Sequence, residues 1–255
     1  MRNINIVGII PARLNSSRYP GKPLINIKGL PMIEHVRRRV SLCKKLKRVI
    51  VATCDKEIKQ IVEGYGGEVI MTSKNHIMAS DRVYEASKKI NCTHIINIQG
   101  DEILVIPEDI NNMIKYIYKN ANQKFFNGIS KINLQKELYN HDIVKCVVSK
   151  NNDIIFCSRN FKHHYYEKNF IPFKKILGIL GYSKKGLEIY SKLKRTPYEK
   201  ANSIDQSRII ESGYVLKGVN FKYGYLGINN KKEEKLVKKI MSYDKIQKHI
   251  LRKII

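Results

Sequence analysis

The sequence predicts an α/β fold built on a mainly parallel sheet. Three observations carry that prediction. Short continuous apolar runs recur through the first hundred residues and read as buried strands. Segments with apolar residues at helical spacing lie between them. Glycine and proline fall at the junctions, where they start or stop elements. Strand–helix alternation of this kind implies parallel strands joined by right-handed crossovers.

Residues 4–10 form the first apolar run. Residues 31–42 place Met32, Ile33, Val36 and Val40 on one helical face, with Pro31 pre-set for a first turn. A second strand is expected over 48–52. A second helix follows over 56–65, stopped by Gly66-Gly67, and a third strand over 68–71. A helix over 80–90, a strand over 94–98 and a helix over 107–119 complete the alternation. Beyond residue 125 the pattern is less regular. Residues 144–148 and 154–157 flank Asn151-Asn152-Asp153 and read as a hairpin. The stretch 161–173 reads as an aromatic and basic loop. Strands are expected over 176–182, 214–219 and 223–226, and helices over 186–193 and 203–211. One basic terminal helix is expected over 232–248, with Leu236, Val237, Ile240 and Met241 as its apolar face. The best partition is a single domain, 1–255, with an inserted subdomain at about 125–175.

The chain has 255 residues, with 48 Lys+Arg against 22 Asp+Glu, a formal charge of +26. Such a charge invites a nucleic-acid reading. The composition argues against it. Lys outnumbers Arg 36 to 12, beside 39 Ile, 22 Asn and 6 Ala, a mixture that AT-rich codons produce. The cations are also scattered, so no nucleic-acid partner is expected. No apolar run reaches the ~18 residues of a membrane span, so no membrane insertion is expected. The apolar stretch near the N-terminus is too short for a signal peptide. Cys43, Cys54, Cys92, Cys146 and Cys157 are widely spaced and include no C-x-x-C pair. That pattern fits reduced thiols in the cytoplasm and argues against a zinc site.

Two segments carry chemistry. The first, running from Ile9 to Leu24, follows the first strand directly and reads IIPARLNSSRYPGKPL. Ligands of such sheets bind beyond the carboxyl ends of the strands. Here Arg13, Arg18 and Lys22, with Ser16, Ser17 and Gly21, offer the fixed cations and backbone donors that a triphosphate requires. It is not a Walker loop, because G-x-x-x-x-G-K-[ST] is absent. The alternative is an ordinary basic loop. The second segment is Asn97-Ile98-Gln99-Gly100-Asp101-Glu102, at the end of the fourth strand. A carboxylate there is placed to hold Mg²⁺ against phosphates, or merely to end the strand in a Gly-Asp turn.

Together these segments resemble the cytidylyltransferases that make CMP-activated sugar acids, most closely those acting on 3-deoxy-manno-octulosonate (Kdo). Further pieces follow in family order. Val51-Ala52-Thr53 leads to Asp55. Gly66-Gly67-Glu68-Val69 leads through Met71-Thr72 to His76 and Ser80-Asp81-Arg82. Val144-Lys145, Phe156-Cys157-Ser158-Arg159, Leu177-Gly178 with Gly181-Tyr182, Thr196-Pro197-Tyr198-Glu199 and Asp205-Gln206-Ser207-Arg208 continue the likeness to about residue 229. The resemblance implies a nucleotide-diphospho-sugar-transferase-like (Rossmann-like) three-layer fold. Its sheet is mixed but mainly parallel, and it carries a small inserted dimerisation subdomain. It implies transfer of CMP from CTP to a sugar acid with release of pyrophosphate, for lipopolysaccharide or surface polysaccharide synthesis. It also implies a cytoplasmic homodimer that uses Mg²⁺.

By the same resemblance, Arg13, Lys22 and Asp101 are the catalytic residues. Pro11, Ala12, Arg13, Ser17, Arg18, Lys22, Arg82 and Gln99 would meet CTP. Lys145, Arg159, Gln206 and Arg208 would meet the sugar acid, Arg208 through its carboxylate. Asp101 would bind the metal, with Asn229 a weak second ligand. The family has an Asp where Asn229 stands in Gly227-Ile228-Asn229, and a His where Ile176 stands. Ala201-Asn202 replaces its Ile-Glu, and Ile77-Met78-Ala79 interrupts its His-Gln-Ser-Gly-Thr-Glu-Arg run. These departures leave open another acceptor, such as 8-amino-Kdo or a nonulosonate, and a catalytically weakened nucleotide-binding relative. A metal role for His163-His164 lacks any nearby carboxylate pattern.

Overall fold

The computed structural model describes residues 4–15, 18–161 and 173–255. The chain forms an α/β fold in two compact units. The first holds residues up to Ile114 together with Tyr225–Ile255, and the second holds Lys115–Gly224. The 125–175 segment singled out in the sequence lies within the second unit.

In the first unit, β1 (Ile6–Ala12) is buried along its whole length, as a strand covered on both faces must be. A 3₁₀ turn over Lys22–Leu24 and a small ribbon, β2 (Asn26–Ile27) with β3 (Leu30–Pro31), lead into α1 (Met32–Ser41). Then come β4 (Val49–Thr53), α2 (Lys56–Gly64), β5 (Glu68–Met71), α3 (Ala79–Lys88), β6 (His94–Ile98) and α4 (Pro107–Lys119). The sheet order here is β6-β1-β4-β5, with every neighbouring pair parallel. Met32, Ile33, Val36 and Val40 of α1 are fully buried, as their spacing predicts. Gly66 ends α2's turn at φ 71°, a left-handed position that suits glycine.

The second unit contains β7 (Phe125–Lys131), α5 (Gln135–Tyr139), β8 (Lys145–Val148), β9 (Ile154–Ser158), β10 (Lys174–Ser183), α6 (Lys184–Lys192), α7 (Pro197–Asn202), α8 (Asp205–Glu211) and β11 (Leu216–Asn220). β7 pairs in parallel with β11 and antiparallel with β10, β10 pairs with β8, and β8 with β9. The β7–β10 register shifts between Ile176 and Leu180. Asn127 repairs that irregularity. Its buried amide donates to Leu177 O at 3.0 Å and Gly128 O at 2.7 Å, so the interrupted ladder leaves these carbonyls satisfied.

Three expectations are corrected. Residues 223–226 form no strand. The chain there is irregular, and a Cβ on Gly224 would overlap Ser130 Oγ of β7. The single terminal helix is two, α9 (Lys231–Tyr243) and α10 (Lys245–Ile254). Asp244 turns extended between them and accepts from the backbone N–H of Ile246 and Gln247, capping the second helix. Strand β7 and helices α5 and α7 arise where no regular element is expected. The 161–173 loop, with His163-His164, lies almost wholly outside the described residues.

Candidate active site

The basic segment after β1 folds as a loop with a closed neck. Gly21 N–H donates to Leu14 O at 2.9 Å, and Leu14 N–H donates to Asp55 Oδ2 at 2.8 Å. Gly21 sits at φ 70°, which turns the chain into the 3₁₀ helix and aims Lys22 inward. Lys22 Nζ donates to Asp101 Oδ2 at 2.7 Å and to Ile228 O at 3.0 Å. Arg18 Nη2 donates to Asn229 Oδ1 at 2.9 Å, and Tyr19 OH to Glu234 Oε2 at 2.5 Å. That last bond, with burial and the Glu234 charge behind it, raises the Tyr19 pKa.

Backbone proximity explains two glycines. A Cβ on Gly100 would lie 2.8 Å from Pro11 O, so only glycine lets the ends of β1 and β6 approach this closely. A Cβ on Gly227 would lie 2.7 Å from Asp101 O, where Ile228 N–H donates at 3.2 Å. The Gly100-Asp101 turn, the basic loop and the 227–229 segment therefore converge around Asp101, the loop through its carboxylate and 227–229 through its backbone carbonyl.

A cleft of about 260 Å³ opens at this point. Pro11, Ala12, Arg13, Arg18, Lys22, Arg82, Gln99 and Asp101 all line it. Ser17 lies outside the described residues. Sequence reasoning missed the rest of the lining: Pro23 and Met32, and the Ile77-Met78-Ala79 run beside His76. The lining combines cations with apolar side chains. Arg82 is 3% exposed, and its guanidinium donates to Thr72 Oγ1 and to Ser73 O at 3.2 Å.

The four residues expected at the sugar acid belong to the second unit. Lys145 is fully buried on β8, and its Nζ donates to Asn140 O at 2.7 Å and Arg159 O at 2.8 Å. Burial, and then the Arg159 charge, pull its pKa down to about 8. Arg159 directs its own donors to the carbonyls of Asn202, His141, Asp142 and Ser203. Gln206 Nε2 donates to Asn127 Oδ1 at 2.8 Å. Arg208 grips Glu199 with two bonds, 2.8 and 2.6 Å long. Both partners are buried. The guanidinium fork expected for a sugar carboxylate is thus already engaged inside the protein. Ile176 occupies a half-buried position on β10.

Comparison with known proteins identifies relatives. The family described as Cytidylyltransferase matches residues 7–223. A 3-deoxy-manno-octulosonate cytidylyltransferase of Fusobacterium nucleatum is 37% identical over 227 residues, covering 89% of this chain and 92% of the relative. An 8-amino-3,8-dideoxy-manno-octulosonate cytidylyltransferase of Shewanella pealeana is 35% identical, covering 84% of this chain and 89% of its own length. The structure of a CMP:2-keto-3-deoxy-manno-octonic acid synthetase in complex with CTP superposes with a TM-score of 0.87 at 30% identity. It covers 93% of this chain and 98% of that one.

Proposed function

The chain belongs to the cytidylyltransferase family, and from that premise we propose that it transfers CMP from CTP to 3-deoxy-manno-octulosonate, releasing pyrophosphate. The observation that carries this reading is a cleft lined both by Arg13, Arg18, Lys22 and Asp101 and by the apolar Pro23, Met32, Ile77 and Met78. A nucleoside triphosphate needs both kinds of lining: it is flat, weakly polar matter at one end and a strongly anionic tail at the other.

In this reading the anomeric hydroxyl of the acceptor attacks the α-phosphorus of CTP. The new bond joins that oxygen to the α-phosphorus, and the bond to the β-phosphate oxygen breaks, releasing pyrophosphate. Covalent participation by the protein is unnecessary, so in-line positioning and charge neutralisation supply the rate. Arg13, Arg18 and Lys22 hold the triphosphate. Gln99 and the backbone near Ala12 meet the base.

The residues present fit a magnesium ion shared with substrate. Asp101 would supply one anionic oxygen and Asn229 one neutral amide oxygen, both hard ligands, once Lys22 and Arg18 exchange them for phosphate. Among the described residues no three His, Cys, Asp or Glu side chains cluster as a metal cage, so phosphate oxygens and waters would complete the shell. When bound, the ion neutralises charge on the phosphates. Lys22 now pairs with Asp101 and would exchange that partner for phosphate.

Lys145 and Arg159 shape the acceptor pocket by holding the backbone at 140–142 and 202–203, and Gln206 and Arg208 brace the strands and helices behind it. The same reading carries a homodimer that places the exposed Ile155 and Phe156 of β9 in its contact. It also carries a cytoplasmic compartment, where the five cysteines, none of them in a disulfide, stay reduced. No helix among the described residues is long and apolar enough to cross a membrane.

Pyrophosphate release is the test, measured with CTP, Mg²⁺ and a panel of Kdo, 8-amino-Kdo and nonulosonates. Preference for Kdo is expected, and preference for 8-amino-Kdo reassigns the acceptor. CTP binding without release from any acid would favour a weakened relative, motivated by Asn229.

A further inference from the structure

His76, Ile77 and Met78, on the segment joining β5 to α3, line the cleft, yet much of that segment is exposed. Ser73, Lys74 and Asn75 are exposed, and Ile77 is 65% exposed. The hydrophobic effect therefore does not fix its position, and polar contacts must. They come from one face of α3. The Glu85 carboxylate accepts from the backbone N–H of Ser73 at 2.9 Å. The same oxygen, Oε2, accepts from His76 Nε2. Because a carboxylate is only an acceptor, that nitrogen carries the proton. Three residues earlier, Arg82 donates to Thr72 Oγ1 and Ser73 O. A cation and an anion on one helix thus hold the Thr72–His76 stretch by its acceptors and its donors. His76, Ile77 and Met78 line the cleft, and Glu85 does not.

Burial alone would raise the Glu85 pKa. The Ser73 N–H, His76 and the nearby Lys89 outweigh it and leave the pKa below the ordinary value. The carboxylate is therefore charged near neutral pH, and its two bonds are of the stronger, charge-assisted kind.

We propose that Glu85 is a positioning residue for the nucleoside: it holds Ser73 and His76 so that 76–78 stands as a preformed wall for the base. The inference rests on the nucleotide reading above and adds a residue that sets affinity without touching substrate. Preorganisation of this kind acts equally on ground state and transition state, so it appears in KM and not in kcat.

The experiment compares the intact chain with Glu85→Ala, Glu85→Gln, His76→Ala and the His76/Glu85 double alanine variant. KM for CTP and kcat are measured, and amide exchange over 73–79 is followed without nucleotide. Glu85→Ala is expected to raise KM about ten- to hundredfold and to hold kcat within about threefold. Exchange at Ser73 should quicken at least about tenfold, with the β1 and β6 amides unchanged. Glu85→Gln keeps an acceptor oxygen and should recover most of both effects. The double variant should be barely worse than Glu85→Ala, since the two side chains act as one unit. Unchanged exchange over 73–79 overturns the proposal, as does an unchanged KM or a fall confined to kcat. A wild-type chain that neither binds nor turns over CTP overturns the nucleotide reading instead. The exchange measurement then judges by itself whether Glu85 holds the wall.

Discussion

Replacing Arg208 with methionine separates two roles for that residue. The resemblance makes it a partner for the acceptor's carboxylate, whereas the structure pairs it with Glu199. The Arg208 side chain is 3% exposed and that of Glu199 0%, with bonds of 2.8 and 2.6 Å between them. The guanidinium also lies 4.4 Å from the Tyr190 ring centroid. Removing the arginine leaves a buried carboxylate whose other cationic partner among the described residues is Arg195, with its Nε 3.3 Å away. Breaking a buried pair from one side costs about 3–5 kcal/mol. At roughly 2–4 °C per kcal/mol for a chain of this size, the melting midpoint should fall by about 6–20 °C. Removing both charges, as Arg208→Met with Glu199→Leu, should restore much of that loss, because no orphaned charge remains. Thermal unfolding measures the fall, and steady-state kinetics well below the midpoint should show a KM for the sugar acid near that of wild type. A midpoint lowered by less than about 2 °C together with a KM raised more than about tenfold would refute the scaffold role.

Three other outcomes follow from the same geometry. Asn229→Asp adds a negative charge beside Arg18 and should lower the Mg²⁺ concentration for half-maximal rate by about three- to tenfold; an unchanged value means that this position does not meet the metal. Lys22→Met removes a charge-assisted contact worth about 1.5–3 kcal/mol, so kcat/KM for CTP should fall about ten- to 150-fold, and a fall below threefold contradicts the role. Lys145 has a folded pKa of about 8, below its ordinary 10.5, because burial and Arg159 disfavour its charge. Between those values the unfolded chain binds the proton that the folded chain has released, so stability rises with pH across that window. Urea unfolding at pH 7.5 and 10 should show this as a difference: across that interval wild type should gain on the order of 2–3 kcal/mol relative to Lys145→Met.

What the sequence makes legible is local. The alternation from β1 to α4 is readable because each strand is a continuous apolar run and each helix carries its own apolar face and stop signal. Helix α2 ends where Gly66-Gly67 says it should. Strand β7 is hidden because Asn127-Gly128 imitates a turn. In the structure Asn127 is a buried hydrogen-bonding residue, and a Cβ on Gly128 would meet the Phe221 ring at 2.9 Å. The break between α9 and α10 is hidden because Asp244 is no helix breaker by type; it becomes one by capping the next turn.

The site divides in the same way. The cations of the 9–24 segment and Gln99-Gly100-Asp101 can be found because each set is contiguous and follows a strand. Glu85 acts on Ser73 and His76 across a turn whose geometry no spacing rule gives. Its one local clue is its place three residues after Arg82 on the same helix. Arg208 shows the opposite case: a contiguous motif suggests a ligand, while its partner Glu199 comes from the preceding helix and no motif announces it.

Attack on the α-phosphorus of CTP can be followed by ³¹P NMR of the intact chain with CTP, Mg²⁺ and Kdo. All three CTP resonances should be lost, with pyrophosphate and one phosphodiester signal appearing in equal amounts and only when the sugar acid is present. Release of inorganic phosphate with CDP, or a CTP spectrum unchanged by any acid of the panel, would contradict it.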